Sequence, residues 1–323
     1  MRVLGDGSFS GAQLTMAQGF TNYGLIELTS VVNAQPAILN VTSGSLGNAA
    51  GAVINVLAGA GNGGRSLGAQ LDNEGIVNVG SCLTISQNAA ALADKGTINV
   101  SSGQTLQVNG GKFQIDPGGV LQGNGTLDAL NTSFTNAGIV NPGAAIGTLS
   151  ILGSYPQVSS GTINVEIGVR AAGLEYDQLQ ISGKATLAGT LYIGLTNGFR
   201  PNGGDRFEVI RYGSNALAFD HINGLELGGG LFLQPTFSAT NLVLVTVDTR
   251  PQVVFETPKH LSGGAVQITL DGTAGRDFVI EATTNLVPAV WIPIVASTNS
   301  GAVFNLILLD TTNFPVRFSR FKQ

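Results

Sequence analysis

A short phrase recurs along the chain: a small residue, usually glycine, followed by a strand in which apolar and polar residues alternate. The copies begin at Gly24, Ala52, Gly75, Gly96, Gly125, Gly138, Gly161 and Gly189. Most of them follow one another after about 21 to 29 residues, the length of one solenoid coil, which is a single turn of a repetitive β-structure. Because strand side chains alternate between faces, we expect Ile98 and Val100 to point inward and Asn99 outward.

Further strands and glycine-rich corners fill the intervals between the copies. The strands are predicted at residues 37–41, 82–85, 104–108 and 112–115. The corners lie at residues 62–64, 102–103, 109–111, 116–119 and 124–125. They contain Gly, Asn and Asp, and glycine and asparagine tolerate the positive φ angles that tight corners demand.

The repeat predicts an all-β protein built as a parallel β-helix, or β-solenoid. A short repeat cannot bury its apolar face alone, so neighbouring coils must stack into a continuous core. The inward residues expected to form one buried ladder are Ile54, Val77, Ile98 and Ile163. We assign the regular repeats to residues 1–147.

Composition excludes several classes of protein. Charged residues make up only 11% of the 323 residues and the net charge is −5, with no cluster of Lys and Arg, so no nucleic-acid partner is expected. No window holds the roughly 18 apolar residues that a membrane-spanning helix requires, so no transmembrane segment is predicted. Cys82 is the only cysteine, which excludes an intrachain disulfide, and we interpret it as a small buried residue.

Residues 2–7 lack the apolar segment of a secretory signal. Glycine-rich β-repeats of this kind are usually exported. We therefore expect that a leader has been removed and that the protein is secreted or held at the cell surface.

Residues 250–323 differ in character from the repeats. They carry alternating strands at residues 266–270, 278–286 and 291–294 and end in the aromatic and Arg residues of 314–320. This pattern predicts a small antiparallel β-sandwich-like C-terminal domain.

Two resemblances bear on function. The repeats, together with residues 134–143, 147–151, 161–167, 176–179, 189–191 and 204–210, resemble the passenger domains of autotransporter-like secreted proteins over roughly residues 1–249. In that resemblance, residues 148–249 are the last coils and the capping region. The tail, with Ile280, Glu281 and Trp291, resembles a C-terminal module of secreted proteins from environmental bacteria, which implies attachment, sorting or display outside the cell.

No catalytic, cofactor or metal site is predicted. The two histidines, His221 and His260, lack the neighbouring residues of a metal-site motif. Polysaccharide-cleaving β-helices need convergent carboxylates, for which Glu166, Glu175 and Asp177 are the best candidates. Nothing in their spacing requires them to meet, and Asp177 is interpreted as a turn or capping residue. We therefore predict that the protein is not an enzyme.

An outward asparagine column is the most informative polar feature. It consists of Asn55, Asn78, Asn99, Asn141 and Asn164. We interpret it as a side-chain amide ladder that stiffens the stacked coils. The functional alternative is a polar strip for glycans, ice or a neighbouring fibre.

The predicted function is that of an extracellular structural or adhesive surface protein, a fibre subunit that self-assembles end-to-end or by strand donation through exposed strand edges. The segment 7–14 already resembles a coil strand, without a charged or proline-bearing cap. The alternative is a secreted glycan-binding or polysaccharide-degrading β-helix, which requires an aromatic-lined groove. The aromatic residues of the second half are interpreted as core; they are Tyr192, Phe199, Phe207, Tyr212, Phe219 and Phe232.

Overall fold

The computed structural model describes residues 1–6, 11–32, 34–60, 63–86, 91–143, 145–249, 253–257, 259–262, 265–272, 277–298, 303–308 and 318–322. All regular secondary structure in these ranges is β-strand. Two compact units divide the chain, Met1–Asp248 and Thr249–Gln323. Within the described ranges there is no helix that could act as a membrane span.

The described residues of the first unit form twenty-five strands, numbered in chain order. They are β1 (Arg2–Gly5), β2 (Ala12–Met16), β3 (Phe20–Asn22), β4 (Leu25–Ser30), β5 (Ala37–Asn48), β6 (Val53–Leu57), β7 (Arg65–Asn73), β8 (Ile76–Gly80), β9 (Leu83–Ser86), β10 (Ala91–Asp94), β11 (Thr97–Val100), β12 (Thr105–Ile115), β13 (Val120–Gly123), β14 (Thr126–Asn136), β15 (Ile139–Pro142), β16 (Thr148–Leu152), β17 (Tyr155–Pro156), β18 (Thr162–Ile167), β19 (Gln178–Thr186), β20 (Thr190–Leu195), β21 (Arg206–Ala216), β22 (His221–Asn223), β23 (Glu226–Gly228), β24 (Leu231–Phe237) and β25 (Asn241–Asp248).

Two sheets form the walls of this unit. Sheet A has ten strands in the order β1-β4-β6-β8-β11-β13-β15-β18-β20-β22, and all its pairings are parallel. Sheet B runs β2-β5-β7-β10-β12-β14-β16-β19-β21 through parallel pairs. The chain alternates between the two sheets, which confirms the predicted parallel β-solenoid.

The core lies between the sheets and is built as the repeat predicts. Ile54 pairs in register with Val77, and Val77 with Ile98, and all three are almost fully buried. Ile163 continues the same ladder further along sheet A and is also buried. Each coil therefore buries its apolar face against the coils before and after it.

One predicted copy lies in the other sheet. Residues 125–129 were expected to align with the other copies, but Thr126 and Leu127 belong to β14 in sheet B. The sheet A strand of that coil is β13, where Leu121 pairs with Ile98. The two segments share the same alternation, so the pattern alone does not distinguish which sheet each one joins.

The far end of sheet B departs from the parallel pattern. Strand β25 pairs antiparallel with β21 and with β24, and β24 pairs antiparallel with the short β23. A side-chain hydrogen bond links β21 to β25, because the hydroxyl of Tyr212 donates to the carbonyl of Asn241 at 2.8 Å. The solenoid therefore ends in an antiparallel strand set at this side.

A buried arginine holds the corner between β6 and β7. Arg65 is 1% exposed, and its guanidinium donates to the carbonyls of Leu57 at 3.0 Å and Ala58 at 2.7 Å. It also donates to the carbonyl of Gln35 on the preceding coil at 3.1 Å. These contacts satisfy donors that would otherwise be costly to bury.

In the second unit the described ranges contain seven strands, which form two antiparallel sheets, in agreement with the prediction of an antiparallel domain. They are β26 (Val253–Phe255), β27 (Lys259–His260), β28 (Val266–Gly272), β29 (Asp277–Thr283), β30 (Ile292–Thr298), β31 (Val303–Leu308) and β32 (Phe318–Lys322). Strand β28 is central in one sheet, and β29 lies between β30 and β32 in the other.

Three residues of the tail signature meet in this unit. Arg320 contacts the carboxylate of Glu281 through two nitrogens, at 2.7 and 2.6 Å, and lies 4.4 Å above the centre of the Trp291 ring. Both nitrogens contact the same oxygen, Oε2, and such charge-assisted hydrogen bonds are stronger than neutral ones. The signature therefore has a structural role in the unit.

Candidate functional site

The outward faces of sheet A carry a continuous column of six half-buried amide side chains. Its members are Asn55, Asn78, Asn99, Gln122, Asn141 and Asn164. From Asn78 onward, each side-chain nitrogen donates to the amide oxygen of the preceding member, at distances of 2.9, 3.1, 2.7, 3.5 and 2.9 Å in chain order. The five asparagines singled out in the sequence thus lie in one column.

Gln122 is the member that the sequence reasoning missed. It occupies the polar position of β13, directly between Asn99 and Asn141 in register. The signal was present, since Gly119 is followed by alternating residues like the other copies. Glutamine replaces asparagine there and bridges the coils with the same amide chemistry.

The column forms the floor of an open groove with two concave parts, which we call the amide groove. The larger part, of about 580 Å³, is lined by Asn55, Asn78 and Asn99 among others. The smaller part, of about 150 Å³, is lined by three amides, by two carboxylates and by three small or apolar residues. They are Gln122, Asn141, Asn164, Glu166, Asp177, Pro142, Gly143 and Ala145. Gln122 belongs to both parts, so they adjoin.

The structure brings Glu166 and Asp177 together at this end of the groove. Asp177 is 2% exposed, and its carboxylate accepts hydrogen bonds from the N–H groups of Gly147 and Glu166, both at 2.8 Å. Burial raises the pKa of Asp177 to about 7, opposed by these two hydrogen bonds and reinforced by the nearby charge of Glu166. Both oxygens of Asp177 are occupied by backbone donors, which gives this residue a structural role.

Glu175 lies apart from this pair. Its carboxylate accepts hydrogen bonds from the N–H groups of Arg170 and Ala171, at 3.0 and 2.9 Å, and so closes a turn. The smaller part of the groove has Glu166 as its only exposed carboxylate among the lining residues. The arrangement is suited to accepting hydrogen bonds from a ligand.

The histidines offer no site in the part of the chain that the structure describes. His221 is exposed on β22, and the side chain of His260 lies outside the described residues. Among the described side chains, no three of His, Cys, Asp or Glu are close enough to hold a metal ion.

A second amide column runs inside the solenoid, and the sequence reasoning did not identify it. Asn22 donates to Asn48 at 2.8 Å, Asn48 to Asn73 at 2.7 Å, and Asn73 to Asp94 at 2.6 Å. Ile115 interrupts the column at the next coil, and Asn136 resumes it. The signal is an Asn or Asp two residues before a glycine, as at residues 22–24, 73–75, 94–96 and 136–138.

Two further expectations are wrong. Cys82 is exposed, because β9 begins at Leu83 and places Leu83 and Ile85 on the inward face. Its thiol contacts the side chain of Gln104 at 3.7 Å. Tyr192 is 52% exposed, because it occupies the outward position of β20 beside Asn164.

The other aromatic residues of the second half are at least partly buried. Phe207, Tyr212 and Phe219 belong to the core, and Phe199 packs against it. Phe232 is half-buried. Tyr192 is therefore the one of these six that offers its ring to solvent.

One edge of the solenoid is open among the described strands. Of the strands that the structure describes, β1 pairs with β4 alone and β2 with β5 alone. The carbonyl of Met1 accepts a hydrogen bond from the N–H of Glu27 in β4, and that of Gly5 accepts one from the N–H of Val31, just after β4. Because alternate residues of a parallel strand bond to the same side, the N–H and C=O of Leu4 point away from β4.

The same reasoning applies to β2. The N–H of Ala12 donates to the carbonyl of Pro36 at 2.9 Å, so the N–H of Thr15 points away from β5. The segment 7–10, part of the predicted first coil strand, lies outside the described residues.

No protein-family model and no curated protein matches the chain.

Proposed function

We propose that this chain is an extracellular structural or adhesive protein that associates with a second copy through the open edge formed by β1 and β2. The observation that carries the proposal is this edge, where Leu4 and Thr15 present backbone groups without a strand partner among the described residues. An unpaired strand edge is a template for pairing with another chain.

The two sides of the solenoid differ in a way that favours a closed pair over an extending fibre. At the far side, sheet A ends in β22 and sheet B in β23, each of three residues. Short edge strands are one of the devices that limit pairing between sheets. Two copies joined by the same edge form an isologous contact, which closes after one pairing.

The body of the protein suits a load-bearing or display role. The amide column on sheet A and the buried column at its side both connect successive coils through side-chain hydrogen bonds. Such connections add to the backbone ladder along the whole stack. The extracellular location rests on the resemblance of the repeats and tail to secreted proteins.

The test is a sedimentation velocity series over a wide range of protein concentration. We expect the wild-type chain to associate, and the double variant Leu4→Pro/Thr15→Pro to remain monomeric, because proline removes the outward N–H groups. The matched control is Leu4→Ala/Thr15→Ala, which shortens the same side chains but keeps both N–H groups. A wild-type monomer at every concentration, or equal association of the proline variant, would overturn the proposal.

A further inference from the structure

An exposed aromatic ring stands at the end of the amide groove. Tyr192 pairs in register with Asn164 and is 52% exposed. Its ring reaches within 3.9 Å of the position that a Cβ on Gly194 would take, and nothing else lies within 4 Å of that position. The ring therefore leans along the sheet surface beside an open space. Aromatic side chains of this kind supply an apolar surface with a polar tip.

Two hydrogen-bond acceptors converge on the same space. Asn164 is the last amide of the column: its nitrogen donates to Asn141, and its Oδ1 accepts nothing in the described part of the chain. Glu166 donates its backbone N–H to Asp177, while its carboxylate is exposed and without a described partner. Glu166 pairs in register with Gly194, so no side chain on the next strand covers it.

The chemistry of these groups selects the ligand. Free acceptors beside an apolar ring suit a molecule that presents both hydroxyl donors and an apolar C–H face, which is the chemistry of a sugar ring. The lining residues of the smaller part include two carboxylates and no Lys or Arg. Negative charge at the site opposes uronate, sulfate or phosphate groups.

We infer that Tyr192, Asn164 and Glu166 form a binding subsite for one sugar unit of a neutral polysaccharide. The sugar ring stacks on Tyr192, and its hydroxyl groups donate to Asn164 Oδ1 and to the Glu166 carboxylate. A concavity of about 150 Å³ suits a single ring, and the adjoining part of about 580 Å³ continues along the amide column. The amide groove thus provides a path for further units of the same polymer.

The test is affinity electrophoresis of the full chain through gels containing xylan, mannan or mixed-linkage glucan, with polygalacturonate as the acidic counterpart. We expect at least one neutral polymer to retard the wild-type chain and polygalacturonate to leave it unretarded. Tyr192→Ala should weaken the retarding interaction by about tenfold, the loss expected from a single good contact. Tyr192→Phe should retain it, because the ring remains.

Two further variants separate the site from general effects. Glu166→Gln should weaken binding several-fold, since a neutral amide accepts a weaker hydrogen bond than a carboxylate. Tyr23→Ala is the matched control, because Tyr23 is 84% exposed in the bend between β3 and β4, on a distant coil, and this variant should bind as the wild type does. The association variant Leu4→Pro/Thr15→Pro should also bind normally, which keeps this test independent of self-association.

Three results would overturn the inference. They are the absence of retardation by every neutral polymer, undiminished retardation of Tyr192→Ala, and binding that is lost with a chelator and restored by Ca²⁺. The last result would assign the free acceptors to a cation instead of a sugar.

Discussion

Asn73 donates a 2.6 Å hydrogen bond to Oδ1 of Asp94 inside the solenoid, where both side chains are almost fully buried. The other oxygen of Asp94, Oδ2, has no hydrogen-bond partner. Asparagines elsewhere in this buried column use the equivalent atom as a donor, as Asn73 does toward the carbonyl of Gly75 at 3.3 Å. A carboxylate has therefore taken the place of an amide in a column whose other connections are made by amides.

Burial raises the pKa of Asp94 to about 7, while the hydrogen bond from Asn73 and the nearby backbone N–H groups of Gly96 and Val120 oppose the shift and the charge of Asp116 adds to it. In the folded chain Asp94 keeps its proton up to about pH 7, and in the unfolded chain it releases the proton near the ordinary aspartate pKa of about 3.8. Between about pH 4 and 7 the unfolded state binds fewer protons than the folded state. The contribution of Asp94 to the free energy of unfolding therefore falls as pH rises and levels off above about pH 7.

The first prediction is that Asp94→Asn stabilises the protein at pH 8. The introduced amide nitrogen can donate to a carbonyl, and the cost of the unpartnered oxygen, about 1 to 3 kcal/mol, disappears. Urea denaturation at pH 4.5, 6 and 8 measures this. Between pH 4.5 and 8 the free energy of unfolding should fall less for the variant than for the wild type. A variant that is destabilised and shows the same fall as the wild type would disprove the account.

The second prediction concerns Asp177, whose pKa is also raised to about 7 but whose two oxygens both accept backbone hydrogen bonds. Asp177→Asn should destabilise the protein by about 1 to 3 kcal/mol. The side-chain amide nitrogen would replace one of the two oxygens, and it cannot accept the hydrogen bond of the backbone N–H that it faces. The same urea series measures it. The two substitutions are chemically identical, so effects of the same sign at pH 8 would refute the distinction drawn between the two sites.

The third prediction tests the outward column at its centre. Asn99 accepts from Gln122 at 2.7 Å and donates to Asn78 at 3.1 Å. Asn99→Ala should lower the free energy of unfolding by about 1 to 2 kcal/mol through the loss of two hydrogen bonds. Asn223→Ala is the control, since Asn223 is exposed on β22, beyond the last amide of the column, without a described side-chain partner. Equal effects of both variants on urea unfolding would show that the column adds no stability.

The fourth prediction concerns the second unit alone. Trp291 is the only tryptophan of the chain, so its fluorescence reports on the surroundings of Arg320. Arg320→Lys keeps the charge but loses the two-nitrogen contact with Glu281 and the planar stacking over the ring. We expect a changed emission spectrum and an earlier unfolding transition of Trp291. Fluorescence unchanged from the wild type throughout denaturation would contradict the structural role of this cluster.

The fold follows from the sequence where burial and alternation agree. Ile98 and Val100 are buried and Asn99 is outward because period-two alternation leaves one choice of face once the inside is apolar. The strand at 126–129 was assigned to the wrong sheet because both sheets show the same alternation. The prediction that Cys82 is buried was wrong because the answer depends on the residue at which β9 begins. The surrounding sequence does not determine that residue.

Only part of the candidate site could be predicted from the sequence. The asparagine positions follow from the repeat, but Gln122 requires the register of β13. The meeting of Glu166 with Asp177 depends on how residues 168–176 return the chain to β18, which spacing does not determine. The buried asparagines resemble turn residues in sequence, because Asn before glycine is typical of turns. Tyr192 was taken as core because its neighbours Leu191 and Ile193 are apolar.

The most direct measurement of the proposed association is hydrogen exchange at the edge amides as the protein concentration rises. The N–H groups of Leu4 and Thr15 point away from their paired strands and should exchange rapidly in the dilute chain. On association they become hydrogen-bonded to the second copy, so their exchange should slow, while buried amides such as that of Val77 keep their rates. Rapid exchange of both edge amides in material shown by sedimentation to be associated would contradict the central claim.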